Sequence, residues 1–256
     1  MTPSASLLAV FAHPDDESLS AGGLLARQAE AGARTAVVTA TWAAGTGRAV
    51  ELAQALRVLG AGEPRLLGYA DAGVPDSAPG AARLLDAPLQ EAVRRLVAHI
   101  REIRPDAVVT HDALGGLTGH PDHAHTHRVT ALAVAEAGRP ELHPGTGAPW
   151  RPRALYLATH PDSAARALGP RLMRPGRPTH SVPDAEVTTT LDVRPWLPRK
   201  LRAVLAHRSE VERGALPGRV AALQPAEQER LMGTEWYMRR DGDGLAEAYG
   251  SGHGGS

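Results

Sequence analysis

Short apolar runs alternate with helical patterns along this chain, and this alternation is the feature that most restricts its fold. The runs read as strands and cover residues 7–12, 35–40, 65–67, 107–110 and 154–158. Between them, residues such as Leu52, Leu56 and Leu59 repeat at helical spacing. Strands that alternate with helices pair in parallel. The sequence therefore predicts an α/β fold, a Rossmann-like, mostly parallel sheet with helices on both faces.

The length of 256 residues suits one large core, so we expect a single domain over residues 1–240. The β-branched segment 186–193 predicts an added edge strand, followed by a helix from about residue 196 to residue 207. Segment 140–152, and 161–183 in part, are rich in Pro and Gly and predict exposed connections. Residues 241–256 offer little to bury, and we expect a disordered tail there.

Composition narrows the class of protein further. Lys plus Arg and Asp plus Glu total 28 each, so no net charge favours nucleic acid or an anionic membrane as a partner. The absence of Cys means that any metal is held by His and carboxylate. The N-terminal apolar run is too short for a signal peptide or a membrane span, so we expect a cytoplasmic location. Heavy use of Ala, Arg, Gly and Pro is typical of bacteria with GC-rich genomes. Oligomeric state is left open.

Two clusters of histidine and carboxylate stand where strands end. The first box is His-Pro-Asp-Asp-Glu at residues 13–17, and the second box is Gly-His-Pro-Asp-His at residues 119–123. A single His-Pro-Asp segment is often only turn chemistry, but a second copy makes coincidence a poor explanation. Loops at the carboxyl ends of parallel strands converge on one edge of a sheet. The sequence predicts one divided metal site, and imidazole with carboxylate suits zinc and metal-assisted hydrolysis.

The two boxes resemble those of the LmbE/PIG-L family of zinc-dependent N-deacetylases. Further similarity lies in the Arg-x-x-Glu segment 48–51, in Gly-Tyr-Ala-Asp at 68–71 and in the late segment 200–210 with Ala-His-Arg-Ser. The resemblance covers about residues 5–240, and only the two boxes are strongly specific. It implies an LmbE-like fold and a hydrolase that removes an N-acetyl or other acyl group from an amino sugar or its conjugate.

The resemblance also implies roles for individual residues. It makes His13, Asp16 and His123 the ligands of Zn²⁺, or of another divalent metal such as Fe²⁺. Asp15 becomes the general base for zinc-bound water that attacks the amide, and His120 stabilises the intermediate. Whether Asp15 or His120 protonates the leaving amine is left open. His127, four residues after His123, is a rival third ligand.

On the substrate side, the resemblance makes Arg48 and Asp71 ligands of sugar hydroxyls, although each is equally well explained as an ordinary charged residue. Sugar-deacetylase members often carry Gly-Glu where this chain has Ala43 and Ala44, and a Tyr where it has Thr118. A mycothiol-pathway substrate is therefore not assumed. Two alternatives stay open: an amidase for a larger thiol-conjugate or natural-product amide, and a non-catalytic metal-dependent binding module.

The remaining polar signals are weaker. His111 and Asp112 end a strand at the same edge and are candidates for orienting a ligand imidazole. We expect His125 to be solvated. The other histidines are expected to be ordinary surface or loop residues; these are His99, His143, His160, His180 and His253. No Gly-x-Gly-x-x-Gly follows the first strand, so no nucleotide-binding residues are expected.

Overall fold

The computed structural model describes residues 5–241, which form one seven-stranded sheet flanked by helices. The strands are β1 (Leu7–Phe11), β2 (Thr35–Thr41), β3 (Arg65–Tyr69), β4 (Ala107–His111), β5 (Ala154–Thr159), β6 (Thr189–Asp192) and β7 (Thr234–Asp241). The helices are α1 (Asp16–Glu30), α2 (Gly47–Leu59), α3 (Leu89–Ile103), α4 (Pro121–Ala137), α5 (Asp162–Leu172), α6 (Leu197–Ala206), α7 (Arg208–Glu212), α8 (Leu216–Ala221) and α9 (Pro225–Met232).

The sheet has the strand order β3-β2-β1-β4-β5-β7-β6. Strands β1 to β5 are parallel, whereas β7 runs antiparallel to both β5 and β6. The predicted α/β fold and the edge strand, observed as β6, are confirmed. The sequence pattern missed β7, which lies inside the sheet, and it missed α5, which lies in a segment expected in part as an exposed connection.

Helices cover both faces of the sheet because the central strands are apolar on both sides. In β1, Leu8 and Val10 pack in the same core cluster as residues of α3 and α4. Leu7, Ala9 and Phe11 point the opposite way and pack with residues of α1 and α2. A third apolar cluster joins α5, α6, α8 and α9 beside the antiparallel end of the sheet. None of the helices within residues 5–241 is both long and apolar enough to span a membrane.

The topology explains where a site can form. The chain leaves β1 towards β2 on one side and later adds β4 on the other side of β1. Ligands of open α/β sheets bind at such a switch of direction, outside the carboxyl ends of the strands. Helix α1 begins at Asp16, directly after β1, and α4 begins at Pro121, after β4. The two boxes therefore meet at this edge.

The structure tests the predictions about chain organisation only in part. Asp241, placed in the expected tail, is the last residue of β7, so that boundary was one residue too early. The rest of the expected tail, residues 242–256, lies outside the described residues. The single domain over residues 1–240 and the cytoplasmic location stay predictions.

Candidate active site

The side chains of His13, Asp16 and His123 converge at the carboxyl ends of β1 and β4. His13 Nδ1 lies 3.2 Å from His123 Nε2. Asp16 places Oδ2 3.3 Å from His13 Nδ1 and Oδ1 3.3 Å from His123 Nε2. All three residues are buried. Two imidazoles and one carboxylate therefore surround a single point, although His13 and His123 lie 110 positions apart in sequence.

Hydrogen bonds on the far side of each imidazole orient the rings. His13 Nε2 lies 3.1 Å from both Asp71 Oδ2 and Asp122 Oδ2. His123 Nδ1 lies 3.0 Å from the carbonyl oxygen of Gly115 and donates to it. Histidine ligands of metals commonly donate their second N–H to a carboxylate or a carbonyl in this way, which leaves the other nitrogen's lone pair for the metal. Both rings thus present the correct nitrogen to the point that they share.

The spacing of these ligand atoms fits a zinc ion, with each imidazole nitrogen facing a different oxygen of Asp16. Bonds of about 2.0–2.1 Å in a tetrahedron separate neighbouring ligand atoms by about 3.3–3.4 Å. The observed separations are 3.2 Å and 3.3 Å. His111 and His120 also come within reach of a metal in this cluster. However, His111 Nε2 accepts from the backbone N–H of Ala12 at 3.2 Å, and His120 Nδ1 accepts from that of Asp122 at 3.2 Å.

The structure also shows the contacts of the rival ligand His127 and of His111 and Asp112, which were expected to orient a ligand imidazole. His127 Nδ1 lies 2.9 Å from the carbonyl oxygen of His111, and the residue lines a different pocket, together with Asp112. The ring of His111 stacks on that of His123, with 3.9 Å between centroids. Asp112 accepts backbone N–H groups of Leu114 and Gly116, and so shapes the loop whose Gly115 carbonyl orients His123.

The imidazoles and carboxylates of the cluster shift one another's pKa values. Burial opposes the charged form of His13, but its hydrogen bonds to Asp122, Asp16 and Asp71 prevail and raise the pKa of His13 well above its usual value. Burial likewise opposes the ionised form of Asp16, yet His123 and His111 hold its pKa well below the usual range. Proton and metal compete for the same nitrogen of His13, so metal binding there releases a proton.

Asp15 is held in an uncommon backbone conformation, with a φ of 126° at the N-cap of α1. Such a conformation costs on the order of 1–3 kcal/mol and persists only where the surroundings impose it. The Asp15 N–H donates to Glu17 Oε2 at 3.0 Å, and the guanidinium of Arg48 donates to the carbonyl of Pro14. Burial raises the pKa of the Asp15 carboxyl to about 7, while the positive charge of Arg48 opposes that rise.

Arg48 is buried and contacts several site residues. Its Nη2 lies 3.2 Å from Asp15 Oδ1 and its Nη1 3.3 Å from Glu210 Oε1. The guanidinium also lies over the ring of Trp42, 4.6 Å from the centroid. These contacts position Asp15, so Arg48 is more than the surface charge considered from the sequence. A role in binding substrate stays a proposal.

An open groove of about 620 Å³ lies beside the cluster, and its walls include both Arg48 and Asp71. Asp71 Oδ1 accepts backbone N–H groups of Gly73 and Val74, while Oδ2 faces His13. His120 stands at the same groove with its ring 4.7 Å from that of His13, edge on. Because Nδ1 of His120 accepts a hydrogen bond, its proton is on Nε2 when the ring is neutral.

Several functional-looking contacts were not predicted from the sequence. Asp122 is completely buried and holds both His13 and the backbone N–H of Ala72, although it was noted only as a member of the second box. Glu17 Oε1 lies 2.9 Å from His207 Nε2, and both residues are fully buried. The signal for these contacts was present, because Asp122 and Glu17 belong to the two boxes and His207 to the late Ala-His-Arg-Ser segment.

One expectation about the other histidines was wrong, whereas His160 and His180 lie in loops as expected, each partly buried. His125 is half-buried, and within the described residues its Nε2 has no hydrogen-bond partner. His160 lines a cavity beside the cluster. His180 packs against Gly119, where a Cβ would come within 2.3 Å of His180 Nε2. Gly119 also has a φ of +62°, so glycine is required immediately before His120 for both reasons.

The chain belongs to the PIG-L family. The family model described as PIG-L, GlcNAc-PI de-N-acetylase, matches residues 8–134. A relative from Rhodococcus erythropolis (strain PR4 / NBRC 100887), a 1D-myo-inositol 2-acetamido-2-deoxy-alpha-D-glucopyranoside deacetylase, is 39% identical over 247 residues. That match covers 82% of this chain and 83% of the relative.

Solved structures share the fold. The N,N'-diacetylchitobiose deacetylase from Pyrococcus horikoshii superposes with a TM-score of 0.65 at 19% identity and covers 93% of this chain and 84% of its own. Protein TT1542 from Thermus thermophilus gives a TM-score of 0.63 at 27% identity and covers 91% of this chain and 94% of its own. The predicted LmbE-like fold is confirmed.

Proposed function

We propose that this protein is a metal-dependent hydrolase that removes an N-acetyl group from an amino sugar or its conjugate. The observation that carries the proposal is the trio His13, Asp16 and His123, whose ligand atoms are spaced for one metal and are accompanied by the extra carboxylate of Asp15. A module that only binds metal has no need of that carboxylate. The relative from Rhodococcus erythropolis is named as a deacetylase of an acetamido sugar, which supports the same substrate class.

Zn²⁺ is the metal that we propose for this trio, with Fe²⁺ as the alternative, since both accept imidazole and carboxylate. When bound, the metal supplies the Lewis acidity that lowers the pKa of a coordinated water to about 7. His13 and His123 are prepared for this role because carboxylate and carbonyl partners already hold their second nitrogens. His127 has a different partner, which favours His123 as the third ligand.

The other side chains divide the proton chemistry. Asp15 accepts the proton of the attacking water, and Arg48 holds that carboxylate in place. His120 donates its Nε2–H to the oxygen of the amide carbonyl, where negative charge develops. The leaving amine needs a proton, and we assign its delivery to Asp15, which received one in the first step. Neutral His120 then keeps its proton throughout.

The groove suits a polar, ring-shaped amine. Arg48 can donate hydrogen bonds, and Asp71 Oδ2, which among the described residues faces only His13 Nε2, retains a lone pair that can accept another. Trp42 and Val74 add apolar surface to the same groove, which fits the mixed faces of a sugar. We therefore propose that Arg48 and Asp71 contact the sugar hydroxyls, although Arg48 acts on Asp15 as well.

Release of acetate tests the function directly. The protein loaded with Zn²⁺ is incubated with an N-acetylglucosamine conjugate, and both acetate and free amine are quantified. We expect equal amounts of the two products, loss of activity after metal removal by a chelator, and recovery when Zn²⁺ is restored. Metal binding without any acetate release would favour the non-catalytic module instead.

Substitution of the ligands tests the metal assignment. His123→Ala is expected to lose most of the bound metal, because two remaining ligands hold zinc far less tightly than three. His127→Ala is the matched control from the same helix and is expected to retain the metal. Metal content is measured by elemental analysis after dialysis against a weak chelator. Full occupancy in His123→Ala with loss in His127→Ala would reverse the assignment.

A further inference from the structure

A partly enclosed cavity of about 70 Å³ lies next to the ligand cluster and is bordered by α1. Asp16, His111 and His123 form part of its wall. The described residues that line it come further from α5, α8 and α9 and from the facing ends of β5 and β7. The activity proposed above assigns no function to this space, although two proposed metal ligands border it.

The cavity and the groove lie on different sides of the cluster. Arg48, Asp71 and His120 line the groove, whereas Asp16 and His123 line the cavity. A trans amide sends its acyl carbon and its amine substituent in opposite directions from the carbonyl group. When the sugar occupies the groove and the carbonyl group lies at the cluster, the acyl carbons therefore point towards the cavity.

The walls of the cavity define what it can hold. Leu168, Leu172 and Leu231 contribute apolar surface, with further apolar walls from Leu19, Leu117, Leu216, Met232 and Trp236. Lys200 and Glu235 also reach the wall, but their charges are paired with each other at 2.8 Å. Burial lowers the pKa of His160 to about 4, so that ring is neutral near pH 7. An uncharged, largely apolar occupant fits these walls.

The size of the cavity sets the length of the occupant. Room for one water requires roughly 10–15 Å³ by the same measure, so the cavity has space for about five to seven such spheres. This is more than a single methyl group needs and much less than a long lipid chain needs. Thr118, Thr159 and His160 make part of the wall polar, which also disfavours a lipid.

We propose that this cavity receives the acyl chain of the substrate, and that the enzyme hydrolyses straight, uncharged acyl amides of three to five carbons as well as the acetyl amide. The inference rests on the proposed function, since it uses the same cluster and the same groove. It extends the proposed substrate class to longer acyl groups. None of the sequence motifs described above concerns the acyl group.

A series of amides tests this in the unaltered protein. N-acetyl, N-propionyl, N-butyryl, N-pentanoyl, N-octanoyl and N-succinyl derivatives of one glucosamine conjugate are compared by kcat/KM. We expect the propionyl to pentanoyl amides to remain within about tenfold of the acetyl amide, and the octanoyl and succinyl amides to fall more than 100-fold below it. If the acetyl amide is hydrolysed but the butyryl amide is 100-fold slower, the acyl pocket is wrong and the deacetylase stands. If no amide is hydrolysed, the proposed function itself fails.

A variant that narrows the cavity provides the second test. Leu231 lines the cavity, and Leu197 belongs to the same apolar cluster without lining it, so the two Leu→Phe substitutions form a matched pair. Leu231→Phe is expected to lower the ratio of butyryl to acetyl kcat/KM at least tenfold, whereas Leu197→Phe leaves this ratio unchanged. An equal ratio in both variants overturns the proposal.

Binding of the product carboxylates provides a readout that needs no turnover. Calorimetry is expected to show butyrate binding more tightly than acetate, by about 15-fold if both extra methylenes are buried. Leu231→Phe should remove this preference, and Leu197→Phe should preserve it. Equal affinities of butyrate and acetate in the unaltered protein would contradict an acyl pocket, even if one of the variants failed to fold.

Discussion

Replacing Asp15 with Asn is expected to lower kcat for acetate release by about 10² to 10⁴-fold while metal content stays at the level of the parent. The amide of Asn has nearly the same shape as the carboxylate, but it cannot accept the proton of the attacking water. Asp15 is also the carboxylate that faces Arg48, 3.2 Å away, so the substitution removes one ion pair and no ligand of the metal. Steady-state kinetics and elemental analysis measure the two quantities.

The control for this variant is Asp76→Asn, which removes an exposed carboxylate near the same edge of the sheet. Its kcat should equal that of the parent. Turnover of Asp15→Asn within about threefold of the parent would show that another group accepts the proton. Loss of metal in the same variant would instead place Asp15 among the ligands.

The second large effect concerns stability. Lys200 and Glu235 form an ion pair at 2.8 Å, with each side chain only 2% exposed. Glu235 also accepts hydrogen bonds from Gly23 N, Leu24 N and the hydroxyl of Tyr237. Lys200→Met leaves that carboxylate buried without its cation, and we expect the free energy of unfolding to fall by about 3–5 kcal/mol. Urea denaturation followed by circular dichroism measures the loss.

Two further variants isolate the cause. Adding Glu235→Gln to Lys200→Met removes the unpaired charge and should restore part of the lost stability. The exposed pair of Arg194 and Asp192 serves as the matched control, since Arg194→Met breaks an ion pair that water already screens and should change stability little. If Lys200→Met were as mild as Arg194→Met, the buried pair would have no special part in holding α6 to β7.

Much of the site could be predicted because it depends on short-range rules. Strand ends in a parallel sheet share one edge, so the boxes at residues 13–17 and 119–123 were expected to meet before any contact was known. The pairing of His13 with His123 confirms that they do. The role of Asp122 was missed because a motif places its carboxylate at this edge without showing which atoms it contacts, and its partners are His13 and the backbone of Ala72.

Strand β7 is an element that the sequence pattern did not predict. Its residues include Glu235, Arg239 and Arg240, a composition that does not suggest a strand inside a sheet. Glu235 is tolerated there because Lys200, two backbone N–H groups and a tyrosine hydroxyl satisfy it. Partners supplied by α1 and α6 thus override the local preference.

By itself, the sequence determined the mostly parallel α/β sheet, the family resemblance and the edge at which the predicted metal ligands gather, because periodicity and motif spacing are properties of the chain. Only the tertiary structure decided which nitrogens of His13 and His123 face each other and Asp16, that Arg48 holds Asp15, and that a cavity lies beside Asp16. These features depend on contacts between residues far apart in sequence. No local pattern encodes such contacts, since they exist only after the helices have packed on the sheet.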